Sequence, residues 1–214
     1  MHDIIKNYKE IISAIELRLK DQNIINRPKI IAVSKTFKLD KILPLIDYGH
    51  LDYGENKVQE AIEKWSDIKL IKKNLKLHLI GKLQTNKVKQ AIKIFDYIHS
   101  VDSEKLATKI ANEEIKQNKK TKIFIQVNIG NEDQKSGINK NHLLEFYKFC
   151  KMLKLNVIGL MCIPPFEKDT QKYFQEMNII NQGLNLNELS MGMSSDFLNA
   201  VDHSATYLRI GSSI

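Results

Sequence analysis

Lys35 stands at the exit of an apolar run, Ile30-Ile31-Ala32-Val33, with Ser34 and Thr36 on either side of it. A lysine at the end of a buried strand is expected to be shielded from water. Desolvation lowers an amine's pKa, and a free amine can add to a carbonyl and form a Schiff base. Most lysines of this chain are expected to be surface charge, so position sets Lys35 apart. Two other segments carry a different chemistry. Ser190-Met191-Gly192-Met193-Ser194-Ser195-Asp196 joins hydroxyls and a glycine to an expected helix start, where free backbone N–H groups favour phosphate. Arg209-Ile210-Gly211-Ser212-Ser213 has the same character further on. Each is an ordinary capping pattern by itself. Together they point to a phosphorylated ligand.

Other polar positions are more ambiguous. In Gly54-Glu55-Asn56, the Asn56 amide could bond a ligand oxygen or cap a helix, and Glu55 could begin that helix. His78 opens H-L-I-G-K-L-Q-T-N-K. An interior histidine with satisfied hydrogen bonds is the plainer reading, a catalytic one the alternative. Thr85, Asn86 and Lys87 could simply start the next helix. The histidines His2, His50, His78, His99, His142 and His203 are far apart and form no H-E-x-x-H pattern, so no metal site is expected. No G-x-S-x-G, G-x-x-x-x-G-K-[ST] or G-x-G-x-x-G occurs, which removes the commonest signatures of hydrolases, P-loop proteins and dinucleotide binders.

The elements that must position these groups alternate along the chain. Short β-branched runs at 29–34, 51–53, 77–80, 97–101, 123–128, 157–161, 188–191 and 207–210 read as strands. Amphipathic stretches at 41–48, 57–64, 86–94, 104–117, 141–153, 169–182 and 196–200 read as the helices between them. Such alternation implies parallel strands joined by right-handed crossovers. Eight units predict a single α/β domain over 1–214, a closed (β/α)8 TIM-type barrel, with a doubly wound open sheet as its rival. An opening amphipathic helix over 3–22 could fill the place of the helix missing after the last strand. Gly54, Gly81, Gly130, Gly159, Gly192 and Gly211 are expected at or just past strand ends, on the rim where barrel active sites are built.

Composition narrows the class. Two cysteines, Cys150 and Cys162, in no C-x-x-C pair, suit a reducing compartment. The net charge of +8 comes from lysines scattered among acids, with aromatics only 7% of the chain, so a nucleic-acid face is not expected. The opening helix lacks the continuous apolar core of a signal peptide, and no run approaches a membrane span. A soluble, cytoplasmic monomer is the expectation.

With its segments placed, the chain resembles the pyridoxal phosphate homeostasis family from about residue 29 onward. The resemblance rests on A-V-S-K-T at 32–36, Y-G-E-N-K-V-Q-E at 53–60, H-L-I-G-K-L-Q-T-N-K at 78–87, H-S-V-D at 99–102 and K-S-G at 135–137. It continues through G-L-M-C-I-P at 159–164, L-S-M-G-M-S-S-D at 189–196 and R-I-G-S-S-I at 209–214. It implies a barrel like the N-terminal domain of alanine racemase (fold type III) with pyridoxal 5'-phosphate (PLP) as cofactor. Lys35 then matches the Schiff-base lysine and Asn56 the position beside the ring. Ser194, Gly211 and Ser212 match the phosphate cup, with Met193 lending a backbone N–H. Arg209 matches the arginine facing the pyridine nitrogen, where a permanent cation disfavours ring protonation and weakens carbanion chemistry. The sequence departs from the family at Leu77, where tryptophan is frequent, and at Ser212, where threonine is common. It ends at Ile214, where relatives continue with a short tail, an expected loosening of the phosphate loop.

The resemblance implies a carrier or buffer of PLP that supports vitamin B6 and amino-acid homeostasis, with no catalytic residues and with PLP-dependent apoenzymes as candidate partners. The alternative is a PLP-dependent amino-acid racemase. That reaction needs an acid/base on each face of the substrate carbon; Lys35 could serve one, and no tyrosine has an obvious claim to the other, although Tyr53 lies near a strand end. A third reading is a sugar-phosphate enzyme using Lys35 for aldol chemistry.

Overall fold

A computed structural model describes residues 3–132, 134–165 and 169–214. Its strands are β1 (Lys29–Val33), β2 (Asp52–Glu55), β3 (Lys76–Leu79), β4 (Tyr97–Val101), β5 (Lys122–Val127), β6 (Asn156–Cys162), β7 (Glu188–Met193) and β8 (Tyr207–Ile210). Its α-helices are α1 (Asp3–Asp21), α2 (Leu39–Asp47), α3 (Val58–Ile71), α4 (Val88–Ile94), α5 (Glu104–Gln117), α6 (Leu143–Met152), α7 (Gln171–Gly183) and α8 (Phe197–Asp202). All neighbouring strands pair in parallel, and β8 returns to β1 with Ile31 beside Arg209. The sheet is therefore a closed barrel, and the open-sheet rival is excluded.

The helices follow from local chemistry. In α5, Leu106, Ala107, Ile110 and Ala111 make one buried stripe, and Asn118 ends the helix in a left-handed conformation at φ 47°. Helix α3 runs past the expected 57–64 because Trp65 and Ile68 continue its apolar face onto the barrel. Helix α1 packs between α8 and α2, where the helix after β8 would stand. Ile11 and Ile15 bury its inner face, and Arg18 Nε pairs with Asp202 Oδ1 of α8 at 2.8 Å. The opening helix thus takes the vacant place in the outer ring.

Two layers of core result. Outward-facing strand residues meet the helices. Inside the barrel, Ile31, Tyr97, Phe124, Met161 and Tyr207 form a separate apolar cluster. His78 stacks on Tyr97 at 4.2 Å and His99 on Phe124 at 4.3 Å, so the interior also holds buried polar groups.

The expected placing of the glycines needs correction. Gly81, Gly130 and Gly211 follow strands, but Gly54, Gly159 and Gly192 lie inside them. A Cβ on Gly159 would run into the Glu188 carbonyl of the adjacent strand, so this glycine serves close approach of backbones. Gly192 has φ +87° and lies where the β7–β8 register shifts between Ser190 and Met193. That bulge bends the end of β7 and re-aims Met193 and Ser194.

Candidate functional site

The C-terminal ends of the strands open into a cavity of about 690 Å³. Lys35, Asn56, Met193, Ser194, Arg209, Gly211 and Ser212, drawn from four segments far apart in sequence, all line it.

Lys35 follows the last residue of β1 by two positions and is exposed, so the expected desolvation is not found. The chain turns outward there: Thr36 has φ 67°, and its Oγ1 donates to the Lys35 carbonyl at 2.6 Å. A β-branched residue in this region is strained. Below it a buried buttress holds the strand end. Glu55 Oε1 accepts from Ser34 Oγ at 2.7 Å and from Lys64 Nζ and Trp65 Nε1 at 2.9 Å each. Lys64 Nζ also donates to the Ser34 carbonyl at 2.7 Å. Glu55 therefore does not begin a helix. It ends β2 fully buried, its charge met by Lys64 from α3.

Asn56 lies at the next step of the rim. Gly81, after β3, packs directly on its backbone, and a Cβ there would meet the Asn56 carbonyl oxygen and lie 2.8 Å from its Cα. A glycine at 81 is what lets Asn56 sit at the cavity wall.

The loops after β7 and β8 are joined by the Gly211 N–H, which donates to Ser194 Oγ at 3.2 Å. The backbone N–H groups of Ser194, Ser195 and Ser212 have no acceptor among the described residues. They cluster at the cavity edge as donors suited to an oxyanion. Two details differ from expectation. These donors belong to turns and not to the first turn of α8, which begins at Phe197. The Met193 N–H is already given to Asp196 Oδ1 at 2.6 Å.

Arg209 forms the floor. It is 4% exposed, and it donates to Ser190 Oγ at 2.7 Å and to the Cys162 carbonyl at 2.8 Å. No carboxylate pairs with it among the described residues. Burial pushes its pKa down, yet a guanidinium keeps its proton. A buried cation without a carboxylate in contact is costly, and here it faces a cavity whose edge also offers free donors, so both call for an acceptor or anion as ligand.

His78 is the satisfied interior histidine of the plainer reading, between His99 and Asp52. Thr85–Lys87 forms a 3-10 turn leading into α4. Tyr53 is fully buried against Trp65 and His50, away from the cavity. Cys150 and Cys162 are free and buried, and burial pushes each thiol up to about 12. No metal-binding cluster occurs among the described residues, and His2 lies outside them. No helix among them is long and apolar enough to cross a membrane.

Several lining residues were given no role in the site from sequence: Gln126 and Asn128, and also Lys82, Lys135 and Ser136, which stand in strings that carry the resemblance. The rule that the last residue of each barrel strand and its successors form the rim would have found Lys82 and Asn128, while Gln126 lies one residue before the end of β5. Lys135 and Ser136 reach the site through a loop that returns to β5. Asp102 Oδ2 accepts the Gly137 N–H at 3.2 Å, and Lys135 Nζ pairs with Glu132 Oε2 at 2.7 Å.

Residues 16–214 match the family model described as alanine racemase, N-terminal domain. The chain thus belongs to the alanine racemase N-terminal-domain class of barrels. Within that class, a relative in Aquifex aeolicus named pyridoxal phosphate homeostasis protein is 37% identical over 196 residues, 87% of this chain and 85% of the relative. PipY of Synechococcus elongatus PCC7942, solved with PLP bound, superposes with TM-score 0.79 at 33% identity, covering 93% of this chain and 98% of PipY. The alanine racemase of Clostridium difficile, 14% identical with TM-score 0.69 over 92% of this chain and 53% of the racemase, shows the same fold. This chain is a member of the pyridoxal phosphate homeostasis family, whose curated relatives bear that name and not the name of an enzyme.

Proposed function

We propose that this chain binds pyridoxal phosphate in the cavity above Arg209 and carries or buffers it, with Lys35 as the attachment point. The observation that carries the reading is the buried Arg209, with no carboxylate in ion-pair contact among the described residues, facing the same cavity as an accessible lysine. Bound there, pyridoxal phosphate would supply an aldehyde for a primary amine and an electron-withdrawing ring. Lys35 offers the amine. The N–H groups of Ser194, Ser195 and Ser212, with the Ser194 and Ser212 hydroxyls, would take the phosphate, and Met193 borders it. Asn56 would lie beside the ring. Arg209 would donate to the ring nitrogen and hold it without a proton. PipY, solved with PLP bound, is kin over nearly its whole length and supports the same ligand.

A carrier fits the site better than a racemase. Apart from Arg209, the only titrating groups among the described lining residues are Lys35, Lys82 and Lys135. Tyr53 points elsewhere, and Lys135 is paired. That leaves Lys82, on the rim after β3, as the one titrating group besides Lys35 and Arg209 still unpaired among the described lining residues. In this reading residues 1–214 act as one cytoplasmic domain, a monomer, and PLP-dependent apoenzymes receive the cofactor.

The test is the visible spectrum of the purified protein with pyridoxal phosphate, before and after borohydride, for the wild type and Lys35→Ala. A yellow band that borohydride fixes to the wild-type chain and that Lys35→Ala lacks is the expected result. A protein that stays colourless would overturn the reading. Turnover of an amino acid by the yellow protein would replace the carrier with the racemase.

A further inference from the structure

A file of side chains runs down the barrel axis beneath the cavity. Arg209 donates to Ser190 Oγ at 2.7 Å, and Ser190 Oγ lies 2.8 Å from His99 Nδ1. His99 Nε2 is 3.0 Å from His78 Nδ1, and His78 Nε2 is 2.9 Å from Asp52 Oδ1. Ser190, His99 and His78 are all 0% exposed. The two ends differ in place and sign. Arg209 faces the cavity, while Asp52 opens β2 at the opposite end of the barrel, its side chain 20% exposed.

The protons of this file have one consistent arrangement. Arginine only donates, so Ser190 Oγ accepts from it and must give its own proton elsewhere. His99 Nδ1 is the acceptor within reach, so that nitrogen is bare and His99 carries its proton on Nε2. That proton goes to His78 Nδ1, which is bare in turn, and His78 Nε2–H goes to the Asp52 carboxylate. Every bond then points from the guanidinium to the carboxylate. The reverse order would protonate Asp52 and leave the Ser190 hydroxyl proton without an acceptor among the described residues, in a dry site.

The charge states agree. Burial pushes His78 down and His99 further down, and the Arg209 charge adds to the effect at His99, so both rings are neutral. Burial acts upward on Asp52. The His78 hydrogen bond leads the influences that outweigh it and hold the carboxyl below its ordinary value.

We propose that Asp52, His78, His99 and Ser190 are positioning residues for Arg209: the carboxylate at the far end of the barrel fixes both imidazole tautomers, and through them the acceptor that orients the guanidinium. Bonds in series polarise one another, so Ser190 Oγ at the head of the file is a stronger acceptor than a lone serine. What this does to bound pyridoxal phosphate rests on the function proposed above. The tautomers do not.

The experiment therefore has two parts. Full-length protein free of pyridoxal phosphate is labelled with ¹⁵N-histidine, and two-bond ¹H–¹⁵N spectra are assigned with single His→Gln variants. His78 and His99 are expected to be neutral, each with a protonated Nε2 and a bare Nδ1. Asp52→Asn keeps an acceptor for His78 and preserves the pattern. Asp52→Leu removes it and shifts His78, and through it His99, toward mixed tautomers. In the second part, Asp52→Leu weakens pyridoxal phosphate binding about fivefold, the scale of one neutral hydrogen bond, and displaces the visible band, while Asp52→Asn restores both. A charged ring or an Nδ1–H tautomer in the wild type would overturn the inference. So would an Asp52→Leu variant whose tautomers and band match the wild type, even if it melts earlier. A protein that binds no pyridoxal phosphate would sink the proposed function and leave the tautomers to decide this inference alone.

Discussion

Arg209 and Lys35 face one cavity from opposite circumstances. The arginine is sunk in the barrel and held by two acceptors, whereas the lysine stands on an outward turn. Replacing them should therefore do different things. Lys35→Ala should abolish borohydride-fixed incorporation of pyridoxal phosphate, read by intact mass. It should change unfolding free energy by less than about 0.5 kcal/mol, because an exposed side chain is lost. Thr36 next to it is held at φ 67°, where a branched side chain crowds its own backbone. Thr36→Gly removes that crowding and should raise the unfolding free energy by about 1 kcal/mol in urea titrations. Strain of this kind beside a reactive lysine is consistent with a turn kept for its direction and not for its stability.

At the scale of elements, glycines separate close packing from free space. Gly159 of β6 touches the Glu188 backbone, while a Cβ at Gly183, the last residue of α7, meets nothing within 4 Å. Gly159→Ala should push β6 from β7 and cost more than about 3 kcal/mol, enough to leave little folded protein by circular dichroism. Gly183→Ala should stabilise by about 0.5–1 kcal/mol, since alanine favours the helix. These contrasts also explain what the sequence disclosed. Strands such as Tyr97–Val101 and helices such as Glu104–Gln117 were legible to the residue, because periodicity is a local property. Strand β2 was not. Gly54 reads as a terminator and Glu55 as the start of a helix, and only the pairing of Glu55 with Lys64 from the next helix makes a buried carboxylate tolerable. The seven expected site residues were legible as strings. The bulge at Gly192, the Asp196 carboxylate that takes the Met193 N–H and the file from Asp52 to Arg209 were not, because register around a closed barrel is set by all its strands together.

For the molecule as a whole, the buried histidines set the response to acid. Burial leads in pushing His50, His78 and His99 below the ordinary 6.5. Below that pH the unfolded chain takes up protons that the folded chain refuses, so stability falls as pH falls. Each histidine contributes up to about 1.4 kcal/mol per pH unit until the folded chain also takes the proton. Urea midpoints should therefore drop steeply between about pH 6.5 and 5, and a His99→Gln variant should show a shallower slope across that window. An unchanged slope would mean that His99 is protonated in the folded barrel.

Helix α1, lodged between α8 and α2, has a further consequence for how the molecule is made. Synthesis delivers β1 first and β8 last, yet these two strands are bonded neighbours, and Asn7 near the start donates to the Ile214 carbonyl at 3.3 Å. Until β8 leaves the ribosome, β1 has an open edge toward it, and edges of this kind recruit other chains. The seam of the barrel closes between the first and the last of its strands to be made, so the nascent barrel is exposed to aggregation until β8 is available. The same proximity of first and last elements means that the two can be joined and the chain reopened at another loop, which would move the vulnerable seam to a different pair of strands.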